Sequence, residues 1–299
     1  VFSGIHLDWI PKNYSLTADE FNAALTQHLK AYGPLPFGQP YTTLIDSSTY
    51  KAFGHGAQAP WLTMHTVGNK PRNHAIYASL EEIFRLSPAY PAANLEPYYT
   101  GWNHTMNRPG GETPPADSDR DNYFSRAMMY GSVLSGGLAG HVHGTAAYDM
   151  TSTGEPAGWR PHVWTALRYQ SGAQMQHLRS FVLAEGDRYQ ALELAASAVS
   201  SRNGTSPKDD GLDGWAFMMR APARDFALLY FENKAEAVKL SGFTANARYR
   251  WTWFNPRHGG WSAPIELVAA ADGMLASPAF PPGETGVIND WAAKLVLVP

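Results

Sequence analysis

Residues 1–183 alternate short β-forming runs with helix-patterned stretches, and beyond about Ala184 the helical signals stop. That alternation constrains the fold more than any other feature, because βα repeats bury their apolar faces by right-handed crossovers onto a parallel sheet. The β-runs are Val1 to Asp8, Tyr41 to Asp46, Trp61 to His65, Ala92 to Glu96 and Gly140 to Gly144. The first helix is announced by a capping box, Thr17 with Glu20, and closed by Gly33 and Pro34. Further helices are expected near Tyr77 to Leu86, Arg120 to Leu134 and, as one long amphipathic element, Val163 to Leu183. A polar linker, 204–214, then leads into runs at Trp215 to Arg220, Phe226 to Phe231, Ala237 to Leu240, Tyr249 to Phe254, Ile265 to Val268 and Ala292 to Val298. These read as a small antiparallel β-sandwich. The expected division is an α/β region over 1–205 and a sandwich over 211–299.

Composition narrows the chemistry by exclusion. A net charge of −3 and a pI near 6.4 give no footprint for nucleic acid or an acidic membrane surface. The absence of cysteine removes disulfides, thiol nucleophiles and thiolate metal sites. No apolar run approaches the roughly 18 residues of a membrane span. Phosphate loop, dinucleotide fingerprint and GxSxG elbow are all missing, so no cofactor is implied. Aromatic residues, at 13%, suit a ligand that stacks on rings. Three sequons, at Asn13, Asn103 and Asn203, would accept glycans in a eukaryotic secretory pathway.

Several of the β-runs finish on an acid: Asp8, Asp46 and Glu96. In a parallel barrel all strand ends meet at one mouth, so Asp8 and Glu96, three βα units apart, can face each other across a sugar-sized cleft. Paired carboxylates are the equipment of glycoside hydrolysis. The bland alternative for each is a cap on the following helix. His141 and His143 are two apart on a strand and point to one side. With His65 or Asp46 they could hold a metal, but no carboxylate-rich ligand pattern accompanies them, and the expectation is no metal. His65 and Asn69, in MHTVGNKPR, sit where a barrel loop begins and are expected to touch substrate. The rings of Trp9, Trp61, Tyr98, Tyr99, Trp102, Tyr148 and Trp159 fall at or after strand ends, where sugars could stack. The expected substrate-binding set is His6, Trp9, Asp46, His65, Asn69, Tyr99, Trp102, His141, His143 and Tyr148. Trp251, Trp253 and Trp261 lie in the sandwich and could form a binding platform, but a core Trp plus an interdomain contact is the expected reading.

NLEPYYTG, then SRAMMYGSVLSGGLAGHVHG, GAQMQHL and YRWTWFNPRHGG, in that order across residues 60–260, resemble the apiosidase-like glycoside hydrolases. The resemblance implies a (β/α)8 TIM-type barrel followed by a C-terminal sandwich that the family labels collagen-binding. It implies that Glu96 is the catalytic carboxylate after the seventh strand, and Asp8 its partner after the fourth. Two departures stand out: Tyr99-Thr100-Gly101 replaces the family's YEG, and Asp8 lies in HLDW rather than beside a glycine. Under this alignment the chain supplies strands four to eight, about 200 residues where a barrel needs about 250. A separate polypeptide completing the barrel, or a homo-oligomer, is therefore expected. The leading expectation is a secreted or periplasmic retaining glycosidase acting on a polysaccharide. The alternatives are a non-catalytic carbohydrate- or matrix-binding protein and a metal-dependent hydrolase built on His65, His141 and His143.

Overall fold

A computed structural model describes residues 2–33, 37–45, 47–68, 72, 74–101, 114–147, 162–200, 211–284 and 287–299, with side chains from residue 7 onward. The first half is built from parallel strands in chain order. β1 (Phe2–His6) pairs with β2 (Thr42–Leu44) through Phe2↔Thr42 and His6↔Leu44. β3 (His65–Gly68) pairs with β4 (Ala92–Glu96), and β4 with β6 (Gly140–His141). β2 and β3 are joined by the Gly68 amide donating to the Ser47 carbonyl at 3.1 Å and the Thr66 hydroxyl to the Thr43 carbonyl at 2.6 Å. A shorter parallel pair, β5 (Tyr99–Thr100) with β7 (Gly144–Thr145), extends the β4 and β6 edge.

The crossovers carry α1 (Trp9–Tyr14), α2 (Ala18–Tyr32), α3 (Thr49–Phe53), α4 (Ala75–Phe84) and α5 (Asp119–Leu134). The capping box forms as expected: the Glu20 amide donates to Thr17 Oγ1 and the Thr17 amide to Glu20 Oε2. The third strand starts later than the apolar run suggests. Trp61 and Leu62 pack instead with Phe21 and Phe53 of α2 and α3, and the Trp61 indole donates to Asn22 Oδ1 at 2.8 Å. The long helix expected over Val163 to Leu183 is two, α6 (Val163–Ala166) and α7 (Gln170–Val182). Tyr169 between them is extended, at φ −61° and ψ 137°.

The second half is a seven-stranded antiparallel sheet. Its path runs β13 (Gly260–Trp261), β12 (Arg248–Asn255), β16 (Trp291–Leu297), β10 (Phe226–Phe231), β9 (Ala216–Arg220), β8 (Glu193–Leu194), with β14 (Ile265–Val268) also on β12. β8 lies ahead of the linker yet joins this sheet through Leu194↔Met219. β11 (Lys239–Leu240) and β15 (Leu275–Ala276) form a two-stranded pair. Successive residues of β10 alternate between two cores. Ala227, Leu229 and Phe231 pack with Leu240, Leu275, Trp251 and Trp253. Phe226, Leu228 and Tyr230 pack with α4, α5 and α7. With both faces covered, an unbroken apolar strand is what this position requires.

α5 is therefore a central helix, buried from Asp121 to Leu134 between the two sheets. Its polar residues are consumed by cross-layer bonds. Arg126 pairs with Asp290 at 2.9 Å and donates to Gln174 of α7, while Tyr230 and Arg257 also donate to Asp290. Nearby, His74 bonds Glu232 at 2.9 Å and stacks on Trp215 with centroids 3.9 Å apart. Burial pushes the Glu232 carboxyl up, against the His74 bond that holds it down.

Candidate active site

The C-terminal edge of the parallel strands presents Asp8, Glu96 and His143, and the β4 backbone decides what Glu96 can reach. Val67 packs in the core beneath α4 and α5, and the Asn94 amide donates to Ser132 of α5 at 3.1 Å, so this face of β3 and β4 meets the helices. Strict alternation would turn Glu96 the same way as Asn94. The register breaks instead: Val67 pairs with Asn94, but Gly68 pairs with Glu96, leaving Leu95 as an extra residue. Gly68, next to a helix-facing residue, faces the opposite side. A Cβ on Gly68 would lie 3.1 Å from Glu96 Cβ, so Glu96 shares its face, away from the helices. The bulge re-aims the carboxylate, a use of bulges common next to active sites. The same Cβ would fall 1.9 Å from the Ile45 carbonyl oxygen, so only glycine fits at 68.

Glu96 is buried, and Tyr99 Oη donates to its Oε1 at 3.3 Å. The Tyr99 ring lies against Gly144, where a Cβ would be 2.1 Å from Cδ1. The last glycine of GHVHG thus seats the phenol that meets Glu96. Tyr98, one residue earlier, turns into the core against Phe124 and donates its hydroxyl to Asp121 Oδ1. Asp121 Oδ2 accepts from the Gly101 and Asp117 amides, both at 2.8 Å. Burial nevertheless pushes the Asp121 carboxyl up to about 6, with these three bonds acting the other way. Sequence reasoning does not single out Asp121, because an acid three residues after Ser118, the N-cap of α5, looks like ordinary first-turn charge.

Asp8 follows β1 and is buried at the N-cap position of α1, but its side chain makes no cap hydrogen bond. Its Oδ2 lies 3.4 Å from Lys12 Nζ. Trp9 is exposed beside it. Asp46, Asn69, Trp102, Tyr148, Trp159 and the side chain of His6 lie outside what is described.

His65 is placed away from Glu96. It opens β3 opposite Ala92, at the far end of the sheet from Glu96, and shares the helix-facing side with Val67. Its Nδ1 bonds Thr49 Oγ1 and its Nε2 bonds His55 Nδ1, each at 3.0 Å. Burial, then His55, pushes its pKa down to about 4. His141 stands level with Asn94 and so faces the helices, and His143 Nε2 lies 3.6 Å from where a Cβ of Gly172, in α7, would be. Burial, then His143, pushes His141 down to about 3, and burial lowers His143. The pair does not meet His65. Among the described residues no three His, Asp or Glu side chains are placed to hold a metal ion.

This arrangement of a parallel βα sheet beside an antiparallel sheet is similar in fold to solved structures described as glycoside hydrolases. The chain is similar to a structure described as a glycoside hydrolase, at 18% identity and TM-score 0.69, over 94% of this chain and 62% of the other. It is also similar to a glycoside hydrolase family 5 structure from Bacteroides vulgatus ATCC 8482, at 17% identity and TM-score 0.62, over 84% and 53%. The chain thus spans less than two thirds of either protein's length. No curated protein matches it. Residues 13–186 match the family described as Apiosidase-like, catalytic domain, and the chain belongs to that family.

Proposed function

We propose that this chain supplies the catalytic part of a (β/α)8-barrel glycosidase, with Glu96 as nucleophile and Asp8 as general acid/base in a retaining hydrolysis. The observation that supports this most is the Leu95 bulge, which turns Glu96 from the helix layer to the opposite face of β4. Asp8 would donate a proton to the departing glycosidic oxygen while Glu96 attacks the anomeric carbon. Asp8 would then deprotonate the water that releases the sugar. The Tyr99 hydroxyl, donating to Glu96 Oε1, would hold the carboxylate in one orientation for that attack. Retention requires the two carboxyl groups about 5–5.5 Å apart in the closed barrel.

Among the described residues no strand covers the outer edge of β1, and an unpaired parallel edge is a liability in water. We propose that strands outside these 299 residues close the barrel, from a separate polypeptide or a second copy. The substrate proposed is a polysaccharide or its side chain, met outside the cytoplasm. The test is release of reducing sugar from a polysaccharide panel by the assembled protein. Glu96→Gln is expected to lower turnover by at least about 1,000-fold, and a variant as active as wild type would refute the role.

A further inference from the structure

Asp121 holds three donors that belong to one short turn and its return. Tyr98 and Gly101 bracket Tyr99 and Thr100, and Asp117 leads into α5. Gly101 adopts φ +78°, a left-handed conformation that its amide bond to Asp121 fixes. Between these two anchored residues, Tyr99 has its ring seated on Gly144 and its hydroxyl on Glu96. Thr100 is tied separately, its Oγ1 donating to Ser171 Oγ at 2.8 Å. The path from Asp121 to Glu96 therefore runs through the Tyr98 side chain, the Gly101 backbone and the Tyr99 phenol.

We propose that Asp121 is a positioning residue for Glu96, holding the 98–101 turn so that the Tyr99 hydroxyl meets the Glu96 carboxylate. This rests on the reading of Glu96 as the catalytic carboxylate. Asp121 touches no substrate in this scheme and acts only through Tyr98, Gly101 and Tyr99. The groups facing it are Tyr98 from the turn, Asp117 ahead of α5 and Tyr169 at the start of α7, while Arg72 lies 5.8 Å from the Tyr98 ring. Ionised, Asp121 accepts all three bonds. Protonated, it turns one oxygen into a donor, and the turn loses part of its anchor.

The test uses the full chain and reads Glu96 directly. The carboxyl carbon NMR resonance of Glu96, assigned by its loss in Glu96→Gln, is expected to move in Asp121→Asn and in Tyr98→Phe. The double variant Tyr99→Phe with Asp121→Asn is expected to move it no further than Tyr99→Phe alone. Amide exchange at Gly101 is expected to accelerate by about 10-fold or more in Asp121→Asn. A Glu96 resonance unmoved in folded Tyr98→Phe overturns the proposal, even if Asp121→Asn fails to fold. A resonance that responds in a protein that hydrolyses nothing supports the positioning and counts against the glycosidase reading alone. With turnover in hand, Asp121→Asn is expected to lower kcat by about 10- to 100-fold with KM within about twofold, and to flatten the acidic limb of the pH profile near 6. A loss confined to KM overturns the proposal.

Discussion

A methyl group on Gly144 would meet the Tyr99 ring at 2.1 Å, and φ at this glycine is not in the left-handed range, so the constraint is purely steric. Gly144→Ala is expected to cost about 1–3 kcal/mol in thermal or chemical denaturation. If Glu96 is the nucleophile proposed above, the substitution is also expected to cut turnover at least 10-fold, as roughly one hydrogen bond to Glu96 is lost. Wild-type turnover in that variant would show that Tyr99 does not need its seat. At this scale the sequence is informative where structure is local. Glu96, Pro97 and the paired tyrosines form one contiguous word, and the acid at a strand end can be read directly. Asp121 and Gly68 cannot, because their roles depend on atoms 20 and 23 residues distant: the Gly101 amide and the Ile45 carbonyl. The surroundings of His65 are equally hidden, because its neighbours in sequence suggest a loop while its partners, Thr49 and His55, lie ahead of β3.

Elements fare according to whether their signal is intrinsic. The helix opened by Thr17 and Glu20 and the strands Ala92–Glu96 and Phe226–Phe231 form where their patterns place them, since caps and apolar runs act locally. The Leu95 bulge leaves no such mark, because register is a property of two strands. α5 shows weak amphipathicity in sequence for a physical reason: both sheets cover it. The strands and helices also carry opposed titrations. Burial lowers His65 to about 4 and His141 to about 3, from 6.5, so the native state resists their protonation. That stability is full above about pH 6.5 and is lost as pH falls toward 4. Asp121, raised from 3.8 to about 6, contributes oppositely: its stability is full below 3.8 and is lost as pH rises through 6. With two strongly shifted histidines against one carboxyl, the urea midpoint is expected to fall between pH 6.5 and 4.5. Asp121→Asn, lacking the opposing group, should fall more steeply. A pH-independent midpoint would contradict both assignments.

On the scale of the whole molecule, the α/β half and the antiparallel half share one core and are riveted by buried charge. Asp290 receives Arg126, Tyr230 and Arg257 with no solvent exposure. Asp290→Ala would strip the buried Arg126 of its carboxylate and leave Arg257 only Glu284, and is expected to destabilise by about 3–5 kcal/mol, measured by denaturant unfolding. The face of β9 and β10 that carries Phe217, Met219, Leu228 and Tyr230 is covered by α4, α5 and α7. Residues 211–299 expressed alone would expose that face and are expected to aggregate, which size-exclusion chromatography would reveal; a monodisperse folded product would show the sheet to be self-sufficient. The division into two halves is legible from the loss of helical signals after Ala184, but their fusion is not. Fusion depends on which face of each strand finds a helix.

The sheet order has a consequence for how the molecule is made. β16, the last of the described strands to leave the ribosome, lies in the interior of the sheet, bonded to β10 on one side and β12 on the other. Until Trp291–Leu297 emerges, β10 and β12 have no common partner, and Asp290 cannot reach Arg126. The buried ion pair that ties α5 to the antiparallel sheet therefore forms only once β16 is in place, so the joining of the two layers waits on the strand that follows Asp290.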